Sequence, residues 1–254
     1  MKSKLEFIGA MLIFGTIGLF RRMIPFPSSL IAATRGLIGT LFLLCFLTLT
    51  RQKLSFSTIR KNLIPLVLSG TLMGFNWILL FESYNYTSVA ISTVCYYMAP
   101  VFVILSAPVF FKEKLTLKKI ICAAVLYATV ILINKKLTTI EAFDRTILQL
   151  GTSAVVLFPY TMMTENLSSL TFDGNVLILL LITGIVHTGI AYVLYFHSIK
   201  TLDTQSIAIY SYIDPMSAIL FSALFLNETV TAIEMIGMVL ILGSAFLSEI
   251  QKKS

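Results

Sequence analysis

Charge is what this chain lacks most. Asp, Glu, Lys and Arg make up 12% of its 254 residues, against 57% hydrophobic, and the mean hydropathy is +0.91. A soluble domain of this size has too little interior to hide that much apolar surface, so most of it must face lipid. Cysteine is scarce as well. Cys45, Cys95 and Cys122 lie inside apolar runs without a pairing or metal-ligand pattern, so neither a disulfide scaffold nor a thiolate centre is expected. There is no His-Glu-x-x-His, no Gly-x-Ser-x-Gly and no pair of mid-membrane aspartates, which argues against an intramembrane enzyme. No Gly-x-x-x-x-Gly-Lys loop is present to cradle phosphates, so these residues do not consume ATP. No catalytic residue, metal or cofactor is therefore expected. A net charge of +7 could suggest nucleic acid, but the basic residues cluster between apolar runs as orientation signals do. No nucleic-acid partner is expected either.

Long apolar runs are what the chain has. They predict spans near 5–24, 29–50, 63–84, 89–111, 117–134, 146–163, 175–199, 205–226 and 232–250. A helix needs roughly 20 residues to cross the hydrocarbon core and satisfies its own backbone there. The runs 117–134 and 146–163 are short. Lys2 and Lys4 precede an apolar run with no small-residue cleavage site, which reads as a retained first span.

The stretch from Tyr97 to Thr116 recurs 115 positions later as Tyr212 to Thr231. Tyr97, Pro100, Phe110, Glu113 and Thr116 match Tyr212, Pro215, Phe225, Glu228 and Thr231, and the register reaches back through Gly74/Gly189, Phe81/Phe196 and Ser83/Ser198. An apolar helix with an interior proline at the same place twice marks an internally duplicated transporter.

Loop charges and the repeat then collide. Lys2 and Lys4, the 51–62 loop and the 112–119 loop are basic and predict a cytoplasmic N-terminus, with Arg21 and Arg22 as exceptions on the outer side. If 146–163 follows 117–134 directly, Lys200, Lys252 and Lys253 finish outside. The repeat also leaves nothing opposite the first span. One helix of about 20–30 residues is thus expected to be missing between Asn134 and Thr146, because Lys135–Arg145 is too polar to supply it. The expected domains are a first five-helix repeat at 1–134 and a second at 135–254 with four helices visible.

Arg35, Tyr97-x-x-Pro100, Phe110-x-x-Glu113-x-x-Thr116 and their second copies resemble the EamA-type branch of the drug/metabolite transporter superfamily. The resemblance covers nearly the whole chain. It implies an all-α polytopic membrane protein of two inverted five-helix repeats, ten helices where nine are visible, with both termini cytoplasmic. It also implies export of small metabolites such as amino acids.

Several residues could carry that function. Pro100 and Pro215 should each kink a helix and free a carbonyl, as hinges at a central cavity or as tolerated packing kinks. Asp214, whose counterpart is Ala99, could bind a substrate ammonium or a coupling proton, or could bond the freed carbonyl. Arg35 lies ~9 Å into its helix and could grip a carboxylate, snorkel outward, or pair with Glu82 as a structural tie. His187 reads as a packing residue or a ligand-contacting one. Asn76, Trp77, Tyr96, Tyr97, Tyr192, Tyr210 and Tyr212 could wall a cavity with rings and a few oriented polar groups, or serve as packing and interfacial anchors. Glu113 and Glu228 suggest capping of the span that follows each. Gly9, Gly15, Gly18, Gly237 and Gly243 should permit close helix contact.

The expected protein is a secondary transporter in the cell membrane, working by alternating access on an amino acid or amine, with the bilayer as its other partner. Coupling to protons is an option that Asp214 offers, and the sequence assigns no oligomeric state. A passive channel, or less readily an intramembrane enzyme, is the alternative.

Overall fold

The computed structural model describes residues 2–93, 95–96, 140–229 and 232. All secondary structure among them is helical. Six stretches are long and apolar enough to cross a membrane: Lys2–Met23, Ser28–Leu49, Leu63–Tyr86, Ala142–Thr164, Gly174–Ile199 and Ile209–Leu226. They match the runs expected at 5–24, 29–50, 63–84, 146–163, 175–199 and 205–226. Of the rest, 89–111 is described only to Tyr96 and 232–250 only at Ala232, while 117–134, Tyr97, Pro100, Glu113 and the junction after Asn134 lie outside the described residues.

Three spans are interrupted. The first comprises α1 (Lys2–Gly15) and α2 (Ile17–Met23), parted at Thr16, whose hydroxyl bonds back to the Ile13 carbonyl at 2.7 Å. Helix α3 (Ser28–Leu49) is continuous, α4 (Phe56–Lys61) is a short loop helix, and α5 (Leu63–Tyr86) is continuous. Helix α6 (Ala142–Thr164) is longer than the run 146–163 because its polar first turn sits at the bundle end, where Asp144 accepts from the Ser55 amide at 3.2 Å. The next span is α7 (Gly174–Gly184), a π-helical turn at Ile185–Ile190 and α8 (Ala191–Ile199). The last comprises α9 (Thr204–Ser211) and α10 (Ile213–Leu226).

Packing shows how the repeats relate. Gly74 of α5 meets Leu157 of α6, while Gly189 of the π-turn meets Phe42 of α3. Each member of the second pair stands 115 positions from its equivalent in the first, so the contact is reciprocal, as a two-fold axis between repeats requires. The equivalents α3 and α6 pack on each other antiparallel, with Gly36 beside Ala154 and Thr40 beside Gly151. Equivalent helices running in opposite senses make the repeats inverted. Their contact anchors a core of Ile31, Leu43, Leu47, Trp77, Phe81, Ile147, Leu150 and Leu157. Large apolar side chains such as Ile64, Leu79 and Val155 stay exposed, a surface suited to lipid.

Charges segregate by end. The Thr201 hydroxyl donates to Ser3, His197 bonds Glu6, and Lys53 and Lys200 border one cleft, which brings Lys2, Lys4, Lys53 and Lys200 to one end. Lys200 therefore joins the basic cluster and does not finish opposite it. Arg21 and Arg22 occupy the opposite end because both are committed to local contacts. Arg21 is buried and donates to Ser28 at 3.0 Å and Asn85 at 3.2 Å; Arg22 donates to the Thr87 carbonyl at 2.7 Å.

Two expectations need correction. Gly9 has open space where a side chain would stand, so it is not a packing glycine, whereas Gly15 and Gly18 are close against α10 and Val89. Glu228 caps a helix from the other repeat: both carboxylate oxygens accept from the Val89 amide at 3.0 Å, and Arg22 lies 3.5 Å away. A carboxylate at a helix N-terminus answers orphan amides and the positive end of the helix dipole.

Candidate functional site

The two repeats enclose a cavity of about 190 Å³ lined by Arg35, Trp77, Tyr84, Tyr96, Tyr192 and Asp214, with Gly15 and Gly18 closing one wall. That volume is below the range of drug-sized pockets and suits a metabolite. Trp77 and Tyr192 are repeat equivalents, 115 positions apart, so each half contributes a ring from the same place.

Arg35 is the cation of the site. Leu30, Ile31, Ala32 and Ala33 are buried around its turn of α3, which commits this face to the bundle interior, so the guanidinium cannot reach water along lipid. Its Nε donates to the Thr188 hydroxyl at 2.8 Å, and its Cζ lies 4.0 Å from the Trp77 ring centroid. Thr188 in turn donates to the Thr183 carbonyl at 3.0 Å, so its oxygen is held facing Arg35. The sequence alternative of an Arg35–Glu82 tie is not realised. Glu82 accepts from Ser28 at 2.7 Å instead, because it lies two helical turns closer to the end occupied by Arg21. Among the described residues, Nε is the guanidinium group with a protein acceptor. The terminal amino groups leave a planar donor pair for an oxyanion.

Asp214 and Pro215 enter on the last span, but the proline works differently from an interior kink. The helix breaks at Tyr212, and Pro215 sits in the first turn of α10, where a missing N–H is tolerated. The break lets α10 come close to α1: a side chain on Gly15 would stand 2.7 Å from the Asp214 carbonyl oxygen. Asp214 thereby reaches the cavity opposite α3.

The other expected residues fall around this centre. Asn76 does not line the cavity, but its Oδ1 accepts from the Tyr96 hydroxyl at 3.0 Å and so orients a ring that does. Tyr212 is 45% exposed at the α9–α10 break and points elsewhere. His187 is buried beside Thr188, bonded to Thr16 and edge-on to Phe20, one layer behind the cavity wall. Tyr97 and Pro100 lie outside the described residues. Of the aromatic groups expected to wall a cavity, Trp77, Tyr96 and Tyr192 do line it. Sequence reasoning missed Thr188, Tyr84 and the π-helical turn.

Comparison with known proteins adds family and fold. The model of the EamA-like transporter family matches twice, over residues 2–135 and 120–249. The "Uncharacterized transporter YxxF" of Bacillus subtilis is 29% identical over 285 aligned positions, covering 98% of this chain and 90% of that protein. An "Uncharacterized transporter" of Archaeoglobus fulgidus is 27% identical over 99 residues, covering 39% of this chain and 34% of that protein. A solved crystal structure of a protein 15% identical superposes with a TM-score of 0.66, covering 99% of each chain, a likeness of fold.

Proposed function

The chain belongs to the EamA-like transporter family and is a multi-pass membrane transporter, and from that premise we propose a secondary carrier that exports or exchanges small amino-acid-like metabolites by alternating access. The carrying observation is the pairing of Arg35 and Asp214 across one small, ring-lined cavity. A guanidinium with two amino groups unspent complements a carboxylate, and Asp214 complements an ammonium. Aromatic faces between them suit an apolar or cationic body. The charge pattern supports a cytoplasmic N-terminus, because the end bearing Lys2, Lys4, Lys53 and Lys200 is the one the positive-inside rule retains.

The close approach of α1 to α10 at Gly15, with breaks at Thr16 and Tyr212 beside it, supports alternating access. Breaks on either side of a binding site allow half-helices to rock while the site stays fixed. The test is counterflow in proteoliposomes preloaded with each proteinogenic L-amino acid in turn. Saturable accumulation of labelled solute against its preloaded partner is expected. Non-saturable entry without counterflow would make the protein a channel, and release of a chemically altered product would make it an enzyme.

A further inference from the structure

We propose that His187 is a proton-binding site coupled to Arg35, so that a solute carboxylate and a proton cross the membrane together; this rests on the carrier reading above. The ring is 1% exposed and lies in the π-helical turn. Its Nε2 is 2.8 Å from the Thr16 hydroxyl and its Nδ1 is 3.3 Å from the Ile182 carbonyl, while Thr16 is also 2.7 Å from the Ile13 carbonyl. If all three contacts are hydrogen bonds at once, the ring donates from both nitrogens as an imidazolium, because the carbonyls supply no proton and Thr16 supplies one. With a neutral ring, the Thr16 hydroxyl turns to donate to Nε2, and the Ile13 carbonyl keeps its backbone bond from Thr16 at 3.2 Å. One hydroxyl rotation therefore accommodates either protonation state. The proton joins the Nε2 lone pair from water on one side of the membrane and returns to water on the other; no other covalent bond changes.

Coupling runs through the next residue. Thr188 holds Arg35 Nε, so His187 and the substrate fork share one short turn of backbone. Arg35 on α3 is the nearest cation, with Arg21 further along α2; Asp214 on α10, Tyr192 on α8, and Tyr84 and Tyr96 face the same cavity. The Arg35 charge opposes a second cation until a carboxylate pairs with it. Solute binding then favours protonation, and by linkage protonation favours the solute to the same degree. Efflux down the solute gradient thus takes a proton with it. The repeat sharpens the assignment. His187 and Thr188 stand where the first repeat has Leu72 and Met73 in a regular α-helix, so the fold does not require them. π-Turns inside helices commonly mark functional sites.

The experiment uses proteoliposomes with trapped pyranine and whichever amino acid shows counterflow. Wild-type protein should change the internal pH as the solute moves, with one proton per solute. His187→Gln should keep counterflow and lose the pH change. Thr16→Val, which removes the Nε2 acceptor, should displace the transport pH profile by about one unit toward acid, and Thr16→Ser should restore it. His187 and His197 are the chain's two histidines, so ¹⁵N-histidine spectra of His197→Gln protein report this ring alone. Solute should convert it to imidazolium. Absence of counterflow would overturn the carrier reading itself. Counterflow without a pH change, or a ring that stays neutral with solute bound, would overturn this inference alone. If His187→Gln does not fold, identical pH profiles for Thr16→Val and Thr16→Ser would overturn it.

Discussion

Replacing Arg35 separates a substrate grip from a structural tie. Arg35 lines the cavity with its Nε spent on Thr188, and each of its two terminal amino groups can donate to one carboxylate oxygen. Hydrogen bonds to charged groups contribute about 1.5–3 kcal/mol each, so two at the low end amount to ~3 kcal/mol, or roughly a hundredfold in affinity. Arg35→Gln should therefore raise the half-saturation concentration for counterflow about a hundredfold while the protein still elutes as a monodisperse species. Arg35→Lys keeps the charge over Trp77 but loses the fork and the 2.8 Å bond to Thr188. It should fall between, near tenfold. A tie would behave in the opposite way. Truncating one partner of a buried charged bond destabilises the fold and leaves affinity alone in whatever survives. Well-folded Arg35→Gln with wild-type half-saturation would refute the grip.

Three further perturbations follow from the same geometry. Gly15→Ala would press a methyl group toward the Asp214 carbonyl at 2.7 Å and should cost about 1–3 kcal/mol, visible as an earlier thermal unfolding transition in detergent; an unchanged transition would mean α1 and α10 are looser than the structure shows. Glu228→Ala leaves the Val89 amide without its acceptor and should destabilise by about 0.5–2 kcal/mol, whereas Glu228→Gln keeps an acceptor and should cost less; equal losses would assign the effect to the Arg22 pair instead. Asp214→Asn should fold and insert yet abolish flux or alter its pH dependence, read in proteoliposomes at several pH values; wild-type flux with an unchanged profile would reduce Asp214 to a local role.

What the sequence made legible is what the fold repeats. Apolar runs located six spans because lipid demands helices of fixed length, and the 115-residue period put Gly74 and Gly189 in equivalent places, which the matching Gly74–Leu157 and Gly189–Phe42 contacts reflect. Residues that hold polarity in one half alone were harder. Arg35 and Asp214 could be named as costly groups at mid-membrane, but Thr188 could not, since a threonine in an apolar run is commonly satisfied by its own helix. The π-turn that aims it at Arg35 leaves no mark in hydropathy. Glu228 was assigned to the wrong helix for a related reason. Spacing shows that a cap exists near a turn, not which N-terminus folds beneath it.

A helix is expected to be missing between Asn134 and Thr146 on grounds of chain parity. Val89 starts its helix at the end holding Arg22 and Glu228, and Tyr96 is already at the central cavity, so that span runs toward the basic end. Ile140 lies at the basic end, packed with Ile59 and Leu66. If the run 89–111 continues in that sense to the basic end, the chain must make an even number of further crossings before Ile140. The sequence offers one apolar run there, 117–134. Six residues from there to Ile140, extended at ~3.3–3.6 Å each, reach only about 20 Å and cannot return across a bilayer. The family matches overlap at 120–135, so both copies of the family model claim the apolar run 117–134. The Bacillus alignment spans 285 positions, more than this chain has residues, so that relative carries internal stretches with no counterpart here. Sequencing the encoding gene across codons 134–146 is expected to find roughly 20–30 further residues, predominantly apolar. If the reading frame runs on without them, tags placed at Lys119 and Lys135 decide the alternative. Both tags accessible from one side would mean that 117–134 lies along the membrane without crossing it; tags accessible from opposite sides in a folded, inserted protein would refute the parity itself.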